Sequence, residues 1–170
     1  MATHTASSGR EAAIKTLGEK IQGIRIAMLT TVETNSELRS RPMAAQDMEF
    51  DGELWFFTKA DSPKVDEVQR DQQVNLAYAN PDKNIYVSIS GRAQLVRDQS
   101  KMRDLWKPFL KAWFPNGLED PELALLRVQV TGAEYWDEPN KAVQLTQIAA
   151  SALTGHQADS MGDNQKLNLH

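Results

Sequence analysis

Side chains able to bind a phosphate group are concentrated between residues 39 and 64. Four of them supply a guanidinium, two hydroxyls and an ammonium: Arg41, Thr58, Ser62 and Lys64. Pro63 marks the predicted start of a helix, whose first backbone N–H groups also favour an anion. The cations of this stretch fit scattered surface charges equally well, so the sequence leaves both interpretations open.

The rest of the sequence offers little side-chain catalysis. It contains no cysteine, which excludes disulfides, thiolate metal sites and a cysteine nucleophile. His4, His156 and His170 lie in predicted tails, which argues against a metal site or a Ser-His-Asp triad. The common nucleotide-binding motifs are absent. Any reaction would therefore depend on a bound organic cofactor, and no catalytic side chain can be named.

The length and charge of the chain set broad limits on its function. A length of 170 residues favours one domain with a sizeable core. The formal net charge of −4 argues against binding a nucleic-acid backbone, which needs a basic surface. No apolar run approaches a membrane span, and residues 1–10 lack the apolar core of a secretory signal. We therefore expect a cytoplasmic protein that binds neither nucleic acid nor membranes.

The elements that must position these side chains follow from the apolar pattern. Strand patterns predict six strands, over residues 24–32, 38–50, 53–59, 74–80, 85–97 and 123–137. Helical spacing predicts helices over residues 11–22, 62–70, 100–113 and 141–153. Ser100 would cap the third helix and Pro108 would kink it. We expect a domain over residues 11–153, a disordered segment over residues 1–10 and a flexible tail over residues 154–170.

Three short signals bear on how the strands pair. Asp51-Gly52 predicts a β-hairpin turn between the second and third strands. Pro42 cannot donate a ladder hydrogen bond and indicates an edge strand or a local break, while Gly91 indicates a bulge or a close backbone approach. Parallel βαβ repeats are absent. The sequence therefore predicts a mainly β fold with α (α+β): a six-stranded antiparallel barrel with flanking helices.

Five segments of the sequence also carry a family resemblance. They are Ser40-Arg41-Pro42-Met43; Leu54-Trp55-Phe56-Phe57-Thr58 with Ser62-Pro63-Lys64; Tyr86-Val87-Ser88-Ile89-Ser90-Gly91-Arg92-Ala93; Trp113-Phe114-Pro115 with Gly117 and Asp120-Pro121; and Glu134-Tyr135-Trp136-Asp137. Their order and spacing resemble the FMN-binding split-barrel superfamily of pyridoxamine 5′-phosphate oxidase-like proteins. Within it, the nearest match is the bacterial general stress protein branch. The resemblance covers roughly residues 10–153.

The resemblance implies a six-stranded split barrel that forms a homodimer, with FMN at the dimer interface and FAD as the alternative cofactor. One strand would line the flavin ring: Ser40, Arg41, Pro42, Met43 and Ala44. Four side chains would lie beside the ribityl chain and the phosphate: Phe57, Thr58, Ser62 and Lys64. Tyr86 and Val87 would approach from the other subunit, and Trp136 would close the flavin site.

Two functions from different classes remain open. The first is an FMN-dependent oxidoreductase acting on a small molecule, with Trp106 and Trp113 as candidates for a substrate wall or for core packing. The second is a flavin carrier or redox-responsive stress protein without turnover. A haem protein is disfavoured because no central histidine could bind iron.

Oxidation of pyridoxamine phosphate is not expected from this sequence. The chain continues after Trp136 as Asp-Glu-Pro-Asn-Lys, without the arginine and histidine that the resemblance places there in the oxidase. The lysine that closes the flavin strand of the oxidase also has no counterpart near Gln46. FMN binding stays predicted.

Overall fold

The computed structural model describes residues 3–137 and 163–169, and the strands in these residues form one antiparallel sheet. The strands are β1 (Ile26–Val32), β2 (Leu38–Ala44), β3 (Glu53–Lys59), β4 (Gln73–Asn80), β5 (Ile85–Val96), β6 (Leu123–Asp137) and β7 (Asp163–Asn168). The helices are α1 (Thr3–Ile21), α2 (Pro63–Arg70) and α3 (Gln99–Leu105), and 3₁₀ segments follow α3 at Pro108–Ala112 and Gly117–Glu119.

The order of the strands leaves the barrel open. They run β2–β1–β4–β5–β6–β3, so that β2 and β3 end the described sheet without pairing with each other. β3 pairs with the first half of β6, and β7 pairs with the second half of the same edge. The predicted fold class, an α+β antiparallel split barrel, is confirmed, and β7 adds a strand to the six predicted.

The apolar residues of β3 contribute to two clusters on its opposite faces. Leu54 and Phe56 belong to the main core with Leu17 of α1. Trp55 and Phe57 belong to a second cluster with Met102 of α3. Because alternate residues of a strand face opposite sides, the unbroken apolar run of β3 reflects burial on both faces, as its sequence predicts.

The predicted hairpin between β2 and β3 is wrong. β2 pairs with β1 through a turn in which Ser36 adopts a φ of 66°, and β3 pairs with β6. Gly52 does adopt a turn conformation, with a φ of 107°. Its carbonyl, however, accepts a hydrogen bond from Val130 N–H of β6 at 3.0 Å. A local turn signal therefore identifies the turn correctly but does not determine which strand pairs with β3.

The first helix begins earlier than predicted. α1 starts at Thr3 rather than at Glu11, so residues 3–10 belong to a helix instead of a disordered segment. Arg10 donates from Nε to the carbonyl of Leu169 at 3.2 Å. This contact joins α1 to the far end of the sequence, and the local composition of residues 1–10 gives no sign of it.

The third helix is shorter than predicted. The carboxylate of Asp98, rather than Ser100, caps it by accepting the backbone N–H groups of Ser100 and Lys101 at 2.9 and 3.0 Å. The helix ends at Leu105, and Lys107 is extended, with φ −122° and ψ 143°. Trp106 is already extended, with φ −65° and ψ 129°, so the helix stops before Pro108 and the predicted kink does not occur.

The C-terminal residues also differ from the predicted flexible tail. β7 lies within residues 154–170, and Leu169 after it is buried and donates its N–H to the carbonyl of Thr131 at 3.1 Å. The sequence of β7 is polar, so its pairing with β6 fixes it rather than its own apolar content. The helix predicted over residues 141–153 lies outside the described residues.

The predicted irregularity at Gly91 is confirmed. The register of β5 with β6 shifts between Ser90 and Gly91, as in a β-bulge. A Cβ atom at Gly91 would lie 2.7 Å from the carbonyl oxygen of Gln129 and 2.7 Å from Cγ1 of Val128. A glycine is therefore required here by the close approach of the two backbones.

Candidate functional site

A polar cluster lies where α2 meets β1 and β2. Arg41 donates from Nη1 to Oγ1 of Thr31 at 2.6 Å and from Nη2 to Oε2 of Glu67 at 2.8 Å. The hydroxyl of Thr31 donates to the same Glu67 oxygen at 2.5 Å. Thr31 and Glu67 are buried. These bonds hold the guanidinium of Arg41 in one orientation.

The second half of this cluster forms at the start of α2. Lys64 Nζ donates to Oγ of Ser62 at 3.2 Å, and Ser62 Oγ lies 3.3 Å from Oγ1 of Thr58. The hydroxyl of Ser62 donates to the carbonyl of Lys59 at 2.7 Å, and it does not cap the helix. The structure thus brings together the four side chains selected from the sequence: Arg41, Thr58, Ser62 and Lys64.

The charges of the cluster influence one another. Burial, followed by the charge of Arg41, lowers the pKa of Lys64, and the carboxylate of Glu67 offsets part of this effect. Burial acts to raise the pKa of Glu67, but hydrogen bonds from Thr31 and Arg41 and the nearby arginine charges outweigh it and hold that pKa below its usual value. Two cations thus face one carboxylate, and a bound anion would relieve the repulsion between the cations.

The backbone of β2 presents hydrogen-bonding groups at the open edge of the sheet. Hydrogen bonds between Ala45 and Arg25 and between Glu33 and Glu37 fix the pairing, so odd-numbered residues of β2 bond to β1. In an antiparallel pair the intervening residues point their N–H and C=O groups the other way. The residues that face the open edge are Leu38, Ser40, Pro42 and Ala44.

This alternation places neighbouring side chains of the predicted flavin strand on opposite faces of the sheet. Pro42 is one of the residues that face the open edge, so its missing N–H removes no hydrogen bond to β1. The prediction that Pro42 marks an edge strand is therefore confirmed, and the ladder between β1 and β2 is unbroken. The carbonyl of Ala44 accepts a hydrogen bond from the side chain of Gln46 at 3.3 Å. Ser40 bonds to Thr30 on the outer face at 2.7 Å, whereas Met43 is buried in the core.

The aromatic candidates Phe57, Trp106 and Trp113 do not form one wall. Phe57 is buried, and its ring meets the edge of Trp106 with the ring centroids 5.5 Å apart. Trp113 is 57% exposed and packs edge-on against Phe109, with the centroids 6.2 Å apart. Trp106 therefore packs beside the strand that carries Thr58, while Trp113 lies at the surface.

The remaining predicted site residues lie in another part of the chain. Tyr86 pairs with Trp136 across β5 and β6, whereas the side chain of Val87 is buried in the core. β1 and β4 separate β5 from β2 in the sheet. A single chain therefore does not bring Tyr86 or Trp136 to the cluster around Arg41.

The outer face of the sheet carries exposed apolar side chains. Ile26 and Met28 of β1 and Tyr86 of β5 each expose 40% or more of their surface. The register places Pro42, Met28, Ala77 and Ser88 in one row across β2, β1, β4 and β5. Directly paired residues share a face, so this row lies on the same face as Tyr86.

Sequence analysis missed two members of the cluster, Thr31 and Glu67. Neither residue was among the candidates selected from the sequence. The available signal for Glu67 was its spacing, because Glu67 follows Lys64 by three residues and lies between Val65 and Val68, which are both buried. Thr31 gave no signal, since its contact depends on where α2 packs against β1.

The part of the chain that the structure describes gives no support for a metal site or for a membrane-spanning helix. Within it, no group of three or more His, Asp or Glu side chains is placed to hold a metal ion. His156 and His170 lie outside it. Among its helices, none is both long and apolar enough to cross a membrane.

Comparisons with known proteins agree with this geometry. The family model described as pyridoxamine 5′-phosphate oxidase like matches residues 12–159. Protein bli-3 of Neurospora crassa is 31% identical over 145 residues, which cover 79% of this chain and 69% of that protein.

Solved structures resemble this chain over most of its length. A candidate general stress protein 26 from Jannaschia sp. covers 93% of this chain and 97% of its own, with a TM-score of 0.71 and 22% identity, and shows the fold. The general stress FMN/FAD binding protein of Xanthomonas citri is 27% identical with a TM-score of 0.66, covering 76% of this chain and 92% of that one. On the family model and the bli-3 relationship, the chain belongs to the pyridoxamine 5′-phosphate oxidase-like family.

Proposed function

We propose that this protein binds FMN and that the cluster around Arg41 and Lys64 holds the phosphate. The observation that carries the proposal is the convergence of a guanidinium, an ammonium and two hydroxyls from β2, β3 and α2. The description of the similar Xanthomonas citri protein as an FMN/FAD binding protein supports flavin as the ligand. Phosphate is the anion that these groups bind best together, since each contact is charge-assisted or a short hydroxyl bond.

The open edge of β2 is the proposed seat of the flavin ring. Ser40 N–H, Pro42 C=O and Ala44 N–H point away from β1 at this edge. Donors and acceptors that alternate along a strand suit the polar edge of a flat heterocycle. The bound flavin would supply hydride or electron transfer, and the chain would orient it through these backbone groups and the phosphate cluster.

A homodimer completes this proposal. Ile26, Met28 and Tyr86 expose apolar surface on the face that also carries Trp136. Tyr86 and Trp136 are remote from Arg41 within one chain, and a second copy is the simplest way to bring them to a flavin site. Sedimentation in the presence of FMN tests this proposal, and a monomer at micromolar concentration would contradict it.

FMN is proposed ahead of FAD because of the charges in the cluster. Arg41 and Lys64 together suit the dianion of a terminal phosphate monoester. The corresponding phosphate of FAD carries one charge fewer, because it is linked to the adenylate. Parallel titrations with both flavins should give tighter binding of FMN, and a preference for FAD would overturn this choice.

A flavin-dependent oxidoreductase acting on a small molecule is the proposed activity, with a cytoplasmic location. Trp106, packed on Phe57 beside the proposed site, is the remaining candidate for a substrate wall. The alternative is a flavin carrier or redox-responsive protein without turnover. Assays of the flavin-loaded protein with NADH, NADPH and common electron acceptors separate the two, because only the enzyme turns over.

Titration of FMN into flavin-free protein tests the phosphate site directly. Lys64→Ala should weaken FMN binding about tenfold or more, since a hydrogen bond to a charged group contributes about 1.5–3 kcal/mol. Lys59→Ala is the matched control, because Lys59 is an exposed lysine five residues away. Equal losses in both variants would indicate a general effect of charge and would remove Lys64 from the site.

A further inference from the structure

A closed ring of hydrogen bonds holds the guanidinium of Arg41. Nη1 of Arg41 donates to Oγ1 of Thr31, and that hydroxyl donates to Oε2 of Glu67. The same Oε2 accepts a hydrogen bond from Nη2 of Arg41, which closes the ring. The two bonds to Glu67 therefore end on one oxygen atom. Of the five N–H groups of Arg41, the described residues accept two, so three are left to meet a ligand.

Three different elements build this ring, and its members are shielded from water. Thr31 belongs to β1, Arg41 to β2 and Glu67 to α2. Thr31 is buried, and the side chains of Glu67 and Arg41 are 8% and 16% exposed. Glu67 lies between Val65 and Val68, which are both buried. A long arginine side chain loses conformational entropy when it is ordered, and the ring orders Arg41 before a ligand arrives.

The carboxylate of Glu67 also acts on the charges beside it. Glu67 and Lys64 are three residues apart on α2 and therefore lie on the same face of the helix. Burial, and then the charge of Arg41, lower the pKa of Lys64, whereas the charge of Glu67 acts to raise it. A phosphate bound by Arg41 and Lys64 would be repelled by the same carboxylate. Glu67 thus has two opposing effects on an anion, because it orders Arg41 and also repels the charge that Arg41 attracts.

We propose that Glu67 is a positioning residue that sets the preference of this site for a phosphorylated flavin over riboflavin. The inference rests on the proposed function, since the ligand that Arg41 meets is the phosphate of FMN. Glu67 would act through Arg41, by holding the guanidinium so that its remaining N–H groups meet the phosphate, and would not itself touch the flavin. Its negative charge would at the same time weaken phosphate binding, so the hydrogen bonds of Glu67 and its charge oppose each other.

Two substitutions of Glu67 separate these contributions. Glu67→Gln removes the charge but keeps an oxygen that can accept both bonds, whereas Glu67→Ala removes the charge and the bonds. Flavin-free protein is titrated with FMN and with riboflavin, which lacks the phosphate, and the ratio of the two affinities is compared. The ratio should be about tenfold higher for Glu67→Gln than for Glu67→Ala, because the amide oxygen still holds Arg41. It should also be severalfold higher for Glu67→Gln than for the wild type, because the repelling charge is gone.

Substitutions of Thr31 test the same ring without changing any charge, and they serve if Glu67→Ala fails to fold. Thr31→Ser keeps the hydroxyl and should keep the affinity ratio. Thr31→Val has nearly the same size and should lower the ratio severalfold, because Arg41 loses one of its two acceptors. Asp66→Asn is the control for charge, since it removes an exposed carboxylate from the same helix and should leave the ratio within about twofold.

The outcomes separate this inference from the proposed function. A wild-type protein that binds no FMN, or binds it no more tightly than riboflavin, would overturn the proposed phosphate site and this inference with it. A wild-type preference for FMN, with equal ratios in Glu67→Gln and Glu67→Ala, would overturn the inference alone, because Arg41 would then need no positioning. Equal losses of FMN and riboflavin affinity in Glu67→Ala would also overturn it, since they would show that Glu67 only maintains the fold.

Discussion

Two regions of the molecule satisfy their buried polar groups in opposite ways. In the cluster around Arg41, the side chains of Arg41, Thr31 and Glu67 are bonded to one another at 2.5 to 2.8 Å. Tyr78, which pairs with Ala27 near the start of β1, buries a hydroxyl that has no partner among the described residues. The first arrangement fixes charged groups in place before any ligand arrives. The second leaves a buried donor unbonded, so removing the polar atoms should affect stability differently in the two regions.

The largest expected effect on stability comes from removing the carboxylate of the cluster around Arg41. Glu67→Ala should lower the free energy of unfolding by about 3–5 kcal/mol, because it leaves the largely buried guanidinium of Arg41 without its counter-charge. Glu33→Ala, which breaks the exposed pair with Arg39, should cost only about 0–1 kcal/mol. Chemical denaturation of both variants measures the difference, and equal losses would show that the cluster is not a buried network.

A second change keeps the positive charge at Arg41 but removes the two fixed donors of its guanidinium. Arg41→Lys should weaken FMN binding about tenfold, because a lysine cannot donate to Thr31 and Glu67 from two fixed nitrogens while also facing a phosphate. Arg39→Lys, at an exposed position on the same strand, should leave affinity unchanged. Fluorescence titration measures both, and full retention of affinity by Arg41→Lys would mean that charge alone is required.

Substituting two tyrosines compares what a hydrogen-bonded and an unbonded hydroxyl contribute to stability. Tyr135→Phe should lower the free energy of unfolding by about 1 kcal/mol, since its hydroxyl donates to Gln165 at 2.7 Å. Tyr78→Phe should cause no loss, because it removes a buried hydroxyl that has no partner among the described residues. A larger loss for Tyr78 than for Tyr135, measured by denaturation, would reveal a partner such as buried water.

The smallest expected effect is on pH dependence. The pKa of Lys64 is lowered in the folded chain, so the unfolded chain binds more protons between that lowered pKa and the ordinary pKa of a lysine. Stability relative to Lys64→Met should therefore be lowest below the folded pKa and should rise as the pH increases through this window. Denaturation of the flavin-free proteins from neutral to alkaline pH tests the sign, and a falling difference would contradict it.

The sequence predicted the elements whose signals are local. The limits of β3 and β6 match the predicted residues 53–59 and 123–137, because apolar patterning and turn residues bound both strands. Pro42 and Gly91 were also interpreted correctly, since each is restricted by its own backbone chemistry. The same reasoning selected Arg41 and Lys64, whose role in binding flavin stays a prediction.

Features that depend on distant parts of the chain could not be predicted in this way. The pairing of β3 with β6 rather than β2 is set by the whole sheet, and the turn at Gly52 fits either partner. β7 is polar and is held by the edge of β6. Glu67 and Thr31 were missed because their bond to Arg41 exists only once α2 has packed against β1.

The open edge of β2 has a consequence for solubility before any ligand or second copy covers it. An exposed strand edge invites hydrogen bonding by a strand of another molecule, which is a route to aggregation. Pro42 stands at the middle of this edge and presents no N–H to an incoming strand. A foreign strand would lose a hydrogen bond at its centre and would meet the prolyl ring. Pro42 thus disfavours the addition of further strands to the edge of β2 in the newly folded, flavin-free chain.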